Sequence, residues 1–124
     1  MKSPLDIIPL GDWLPLNSFP LIVAGPCSAE TEQQVLDTAR ALAKIPQVTV
    51  FRSGIWKPRT RPSGFEGVGN KGLEWLQKVR QQTRLLTTVE VANPDHVRVA
   101  LNSGVDILWI GARTVVNPFS VQEI

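Results

Sequence analysis

Leu21-Ile22-Val23-Ala24-Gly25-Pro26 is a short apolar run closed by a turn, and a helical pattern follows it from Ser28 to Lys44. The run reads as a strand buried on both faces. In the helix, Val35, Leu36, Ala39, Leu42 and Ala43 recur at helical spacing, and Pro46 ends it. Ser28 stands where a cap belongs, and Glu30 and Glu32 suit a positive helix N-terminus. One strand–helix unit is written here, and the pattern then repeats. Val48–Phe51 is β-branched and strand-like. Gly72–Thr83 is helical, with Leu73, Leu76 and Val79 on one face. Leu85–Val91 is a third strand. Asn93 caps a third helix with Pro94 at its first position, an apolar stripe of Val97, Ala100 and Leu101, and Gly104 at its close. Asp106–Ile110 is a fourth strand, and Asn117-Pro118 opens a fourth helix.

Alternating strands and helices, with near-continuous apolar strands, predict an α/β fold with a parallel sheet under helical cover. Two architectures fit: a small doubly wound sheet, or part of a (β/α)8 TIM barrel, which needs ~250 residues. Four units in 124 residues are half a barrel, and the last helix has no closing signal before Ile124. The expectation is therefore a fragment: the first four βα units of a barrel over residues 20–124. Residues 1–19, with three prolines and the turn Gly11-Asp12, read as a lead-in in the form of a short hairpin. An open half-barrel would bare its sheet edges and the strand centres Val23, Val50, Val89 and Leu108, and could self-associate without catalysing anything.

Hydrophobic residues make up 43% and charged residues 19%, which fits one globular domain. The net charge of +2 is too mild to argue for nucleic acid. The single cysteine excludes an intrachain disulfide and fits a reducing compartment. No signal core opens the chain, and no apolar run approaches the ~18 residues of a membrane span. A cytoplasmic protein with no membrane and no nucleic-acid partner is expected.

The chemistry gathers at the strand ends, where parallel α/β folds build their sites. Cys27 follows the first strand. Arg52 ends the second, and Lys57-Pro58-Arg59-Thr60-Arg61-Pro62 forms a stiff basic loop after it. Glu90 lies near the end of the third strand, and Arg113 just past the fourth. Arg52, Lys57, Arg59 and Arg113 exceed what one carboxylate needs, so the ligand implied is a small polyanion. Against this stands a solvated basic loop paired to Glu66 or Glu74. Cys27 is open between a buried small hydrophobe and a metal ligand or nucleophile. Glu90 is open between orienting a water and a strand-end ion pair. His96 reads as structural or solvated, Trp75 and Trp109 as core or helix–sheet packing, and Trp56 as a stiffener of the basic loop. The basic patch is short and lacks aromatic interleaving for bases.

Four segments carry a family resemblance: Ala24-Gly25-Pro26-Cys27-Ser28, Phe51-Arg52, Lys57-Pro58-Arg59-Thr60 and Ile110-Gly111-Ala112-Arg113-Thr114. Together, from about Pro20 onward, they resemble 3-deoxy-D-arabino-heptulosonate 7-phosphate (DAHP) synthase, a (β/α)8 barrel. The subfamily they look most like is the compact one often fused to a chorismate mutase domain. The resemblance implies condensation of phosphoenolpyruvate with erythrose 4-phosphate, the entry step of aromatic amino acid synthesis. It implies that Arg52, Lys57 and Arg113 hold phosphoenolpyruvate, that Arg59 and Thr60 hold the sugar phosphate, and that Pro58 and Ala112 belong to the same substrate-binding set. Lys57 and Glu90 are then the catalytic candidates. Cys27 becomes one of four ligands to a divalent metal of the manganese, iron, cobalt or zinc class. A homo-oligomer is expected. The related 3-deoxy-D-manno-octulosonate 8-phosphate synthases typically carry Lys-Ala-Asn-Arg-Ser in the basic loop, and Pro58-Arg59-Thr60 departs from that. The other metal ligands of the resemblance, a His, a Glu and an Asp, have no counterpart in these residues, so the 124-residue chain is expected to be inactive.

Overall fold

The computed structural model describes residues 6–15, 19–57 and 63–124. Four strands, β1 (Ile22–Ala24), β2 (Val48–Arg52), β3 (Leu86–Val91) and β4 (Ile107–Ile110), form one sheet. They lie in the order β1-β2-β3-β4, and every pairing is parallel. Helices α1 (Glu32–Ala43), α2 (Lys71–Gln82) and α3 (Pro94–Asn102) follow the first three strands. A doubly wound sheet reverses its strand order at a switch point. A strictly sequential order has none, so the expected barrel-type half-sheet stands and the doubly wound alternative falls.

The sequence builds each helix by a local device. Thr31 caps α1, its Oγ1 accepting from the Gln34 N–H at 3.1 Å, and Gln34 Oε1 accepts in return from the Glu30 N–H at 2.8 Å. The cap is thus Thr31, not Ser28, because Ser28 lies in the turn that carries Cys27. Asn93 Oδ1 accepts from the His96 N–H at 2.8 Å and starts α3, with Pro94 at its first position as expected. Asn117 likewise caps α5 (Pro118–Glu123). A further turn of helix, α4 (Ala112–Val115), which the sequence pattern did not show, lies between β4 and α5.

The two faces of the sheet differ. One packs Phe51, Val89 and Val91 against Val35, Ala39, Leu76 and Val79 of α1 and α2, all essentially sealed from solvent. Each of the Val, Leu and Phe side chains contributes about 1.5–3 kcal/mol by burial. Asp106 ties β4 to β3, accepting from the Thr87 N–H at 2.8 Å and its Oγ1–H at 3.1 Å, while Arg80 of α2 pairs with the same carboxylate at 3.3 Å.

The other face is concave, and the lead-in lies across it. Trp13 and Leu14 share a cavity of about 430 Å³ with Val23, Val50, Arg52 and Trp109. The described lead-in holds a single 3-10 turn, Leu10–Asp12, and no strand; residues 1–5 and 16–18 lie outside the described residues.

Three expectations about exposure are corrected. The first strand is not buried on both faces: Ile22 is 36% and Val23 44% exposed, because β1 is an edge strand. Val50 and Val89 are not bared, both being 0% exposed. Val89 and the partly buried Leu108 belong to the helix-covered core, while Val50 lies on the concave face. Trp109 is also on the concave face, not in the helix–sheet core; Trp75 is in that core. Among the described residues no helix is long and apolar enough to cross a membrane.

Candidate functional site

The loop after β1 and the segment after β2 cross at the carboxyl edge of the sheet. Gly54 makes the crossing: an added Cβ there would stand 1.8 Å from the Cys27 carbonyl oxygen. Two hydrogen bonds hold it, Ala29 N–H to the Gly54 carbonyl at 2.9 Å and Gly54 N–H to the Pro26 carbonyl at 3.2 Å. This close approach presents Cys27 to the cations of the second unit. Lys57 Nζ donates to the Cys27 carbonyl at 2.8 Å and meets Cys27 Sγ at 3.3 Å.

Cys27 is exposed, not a buried small hydrophobe. The Lys57 hydrogen bond, then the Lys57 charge, then the Arg52 charge hold its thiol below the usual cysteine value. Arg52, the last residue of β2, also lies over the Trp109 ring, with its guanidinium carbon 5.8 Å from the centroid. Lys57 does not reach Glu66 or Glu74 by its side chain; its backbone N–H donates to the Glu66 carbonyl at 2.8 Å.

Three buried side-chain polar atoms have no partner among the described residues: Ser28 Oγ, Arg52 Nε and Ser53 Oγ. All three flank Cys27 or end β2. Buried polar atoms are normally satisfied, so three orphans in one place mark a position that a polar ligand or water would complete.

Glu90 is half-buried at the end of β3 and lies against Gly111, where an added Cβ would stand 1.6 Å from its Oε1. Ala112 and Arg113 are exposed on α4, at the carboxyl end of β4. Pro58, Arg59 and Thr60, with Arg61 and Pro62, lie outside the described residues. The structure thus joins Cys27, Arg52 and Lys57 into one cluster and sets Glu90 and Arg113 at the next two strand ends. The His96 ring stacks on Trp56 at 4.1 Å between centroids. Burial holds its imidazole below the usual histidine value, opposed by the charge of Asp95.

Among the described residues, no three His, Cys, Asp or Glu side chains come close enough together to hold a metal ion. Cys27 is one donor flanked by cations, which is not by itself a divalent site. Reasoning from the sequence missed Ser53, Gly54 and the Trp56–His96 stack. Only Gly54, a glycine two residues past a strand-end arginine, carried a local signal.

A family model described as the DAHP synthetase I family matches residues 17–123. The phospho-2-dehydro-3-deoxyheptonate aldolase of Thermotoga maritima is 38% identical over 111 residues, covering 90% of this chain and 32% of that protein. The 2-dehydro-3-deoxyphosphooctonate aldolase of Variovorax paradoxus is 36% identical over 93 residues, covering 70% of this chain and 32% of that protein. The crystal structure of the Thermotoga maritima enzyme, titled a DAHP synthase, aligns with a TM-score of 0.66 at 38% identity. That alignment covers 77% of this chain and 27% of the solved one. The chain spans about a third of the length of these curated relatives.

Proposed function

The chain belongs to the DAHP synthetase I family, and on that premise we propose that it carries the phosphoenolpyruvate-binding part of a cytoplasmic DAHP synthase. Arg52, Lys57 and Arg113 hold phosphoenolpyruvate by its carboxylate and phosphate, with Ala112 in the same turn as Arg113. Pro58, Arg59 and Thr60 hold the phosphate of erythrose 4-phosphate. C3 of phosphoenolpyruvate attacks the aldehyde carbon, water adds at C2, and the C2–O bond to phosphate breaks to leave a ketone and inorganic phosphate. Glu90 orients the water. Cys27 is one thiolate donor to a divalent metal of the manganese, iron, cobalt or zinc class. These residues supply no complete site for that metal, and the 124 residues alone are inactive.

The observation that carries this reading is the convergence of Lys57 and Arg52 on one exposed thiol, with unpartnered buried polar atoms on Ser28, Arg52 and Ser53 in the same two segments. Fixed cations already in place bind a polyanion without reorganising at the moment of binding. The test is calorimetric titration of the chain with phosphoenolpyruvate. Weak, salt-sensitive binding that Lys57→Met removes is expected. No binding at low salt would sink the site assignment, and DAHP formed by the purified chain with added manganese would sink its inactivity.

The identity with 2-dehydro-3-deoxyphosphooctonate aldolases favours a second reading. An eight-carbon product takes five carbons from the sugar, whereas a seven-carbon product takes four. Grafting the chain's segment from Lys57 to Thr60 into a relative of each kind, then comparing four- and five-carbon sugar phosphates, separates the two.

A further inference from the structure

We propose that His96 is a positioning residue for Lys57, acting through Trp56. The inference rests on the reading of Lys57 as a substrate cation.

The rings of Trp56 and His96 lie flat on one another, 4.1 Å apart and within 6° of parallel. His96 is held once at its ring and once at its backbone. Its Nδ1 accepts from the Ala92 N–H at 3.2 Å, and its own backbone N–H donates to Asn93 Oδ1 at 2.8 Å. The ring therefore takes its orientation from the end of β3 and the first turn of α3. Trp56, only 8% exposed and part of the hydrophobic core cluster, stacks on that ring.

Lys57 comes next in the chain. Its backbone N–H is held by the Glu66 carbonyl at 2.8 Å, and the Gly69 N–H holds the Ile55 carbonyl at 2.9 Å. The main chain at Lys57 is thus pinned between a stacked indole and a backbone pair. From that anchor Nζ reaches the Cys27 carbonyl and Sγ. Packing against aliphatic neighbours would bury the indole equally well, but only a flat partner fixes its tilt. A tilt of Trp56 turns the chain at Lys57 and carries Nζ off its two acceptors. A displacement of about 1 Å at a binding cation is enough to matter for ligand affinity.

Two substitutions separate the ring from its hydrogen bond. His96→Phe keeps a flat ring and loses the acceptor for the Ala92 N–H. His96→Asn keeps a polar acceptor and loses the ring. The measurements are the melting temperature, the amide resonances of Lys57 and Cys27, and calorimetric titration with phosphoenolpyruvate. His96→Phe is expected to melt lower than the wild type while leaving both resonances in place and affinity within about twofold. His96→Asn is expected to shift both resonances and weaken binding about tenfold. If His96→Asn does not fold, Trp56→Leu removes the stack from the other side with the same expectation.

Resonances that stay put without the stack, or that move with melting temperature in both His96 variants alike, overturn the proposal. A wild-type chain that binds no phosphoenolpyruvate overturns the functional reading instead. The resonances then decide the positioning role alone.

Discussion

Gly54→Ala is the most direct test of how the site is assembled. Its Cβ would stand 1.8 Å from the Cys27 carbonyl oxygen, and real Cβ atoms essentially never come closer than 3.0 Å. The two segments must therefore part by at least 3.0 − 1.8 = 1.2 Å. Backbone lies on both sides, so no flexible side chain can absorb the shift. The Ala29–Gly54 and Gly54–Pro26 hydrogen bonds, at 2.9 and 3.2 Å, cross the same gap and are lost or stretched. Each contributes roughly 1 kcal/mol, and overpacking adds roughly 1–3 kcal/mol, so a loss of about 3 kcal/mol is expected. With a urea slope of about 1–3 kcal/mol/M, the unfolding midpoint falls by roughly 1–3 M. Lys57 Cδ is 3.4 Å from the same Cβ, so the Lys57–Cys27 contact opens with the backbone. Urea unfolding followed by circular dichroism, with phosphoenolpyruvate calorimetry on the same sample, reads both effects. A midpoint unchanged from the wild type would show that the crossing does not depend on the missing side chain.

Four further outcomes follow from the same geometry. Ser53→Ala removes a buried hydroxyl with no partner among the described residues and should raise stability by about 1 kcal/mol in thermal melts; a loss of that size would mean that the hydroxyl is satisfied, by a bound water for instance. Asp106→Asn loses the charge that pairs with Arg80 and weakens the acceptor for Thr87, costing about 1–2 kcal/mol by urea titration. Arg84→Met frees the carbonyls of Ala43, Ile45 and Val48, which Arg84 gathers at the end of α1, and should cost a similar amount. His96 is held neutral by burial, so its folded-state value lies below the unfolded one. Its contribution to stability is full above the ordinary imidazole range of ~6.5 and is lost as pH falls through the depressed folded value. The chain has one histidine, so a proton NMR titration reads it without ambiguity, and an ordinary or raised value would contradict the burial argument.

The strand–helix alternation was legible because strands and helices here announce themselves locally. Asn93-Pro94 and Asn117-Pro118 start helices by capping chemistry that needs no tertiary context. The cluster at Cys27 was legible only as addresses on successive strand ends. That Lys57 reaches back to Cys27, whereas Arg113 stands exposed on its own turn of helix, depends on the Gly54 crossing, which joins residues from different units. Burial was the least legible property. Ile22 and Val23 read as core by composition, yet β1 has a neighbour on one side only. Val50 read as bared because nothing in the pattern of Leu10, Trp13 and Leu14 says that they fold back over the sheet.

Strand order also bears on how the chain opens. Each strand pairs only with its neighbour in sequence, so the sheet has no long-range staple. β1 is held to β2 through three residues, Ile22, Val23 and Ala24, and Ile22 and Val23 face water in part. β2 and β3 are paired on both sides and carry Val50, Phe51 and Val89, which are fully sealed. Amide hydrogens should therefore exchange in a gradient, soonest in β1 and slowest in the middle pair. Cys27 hangs from the strand that frays first, whereas Arg52 sits on one of the last to open. The two halves of the cluster thus belong to regions of different local stability, and excursions of the β1 edge would separate the thiol from its cations well below the temperature at which the chain unfolds.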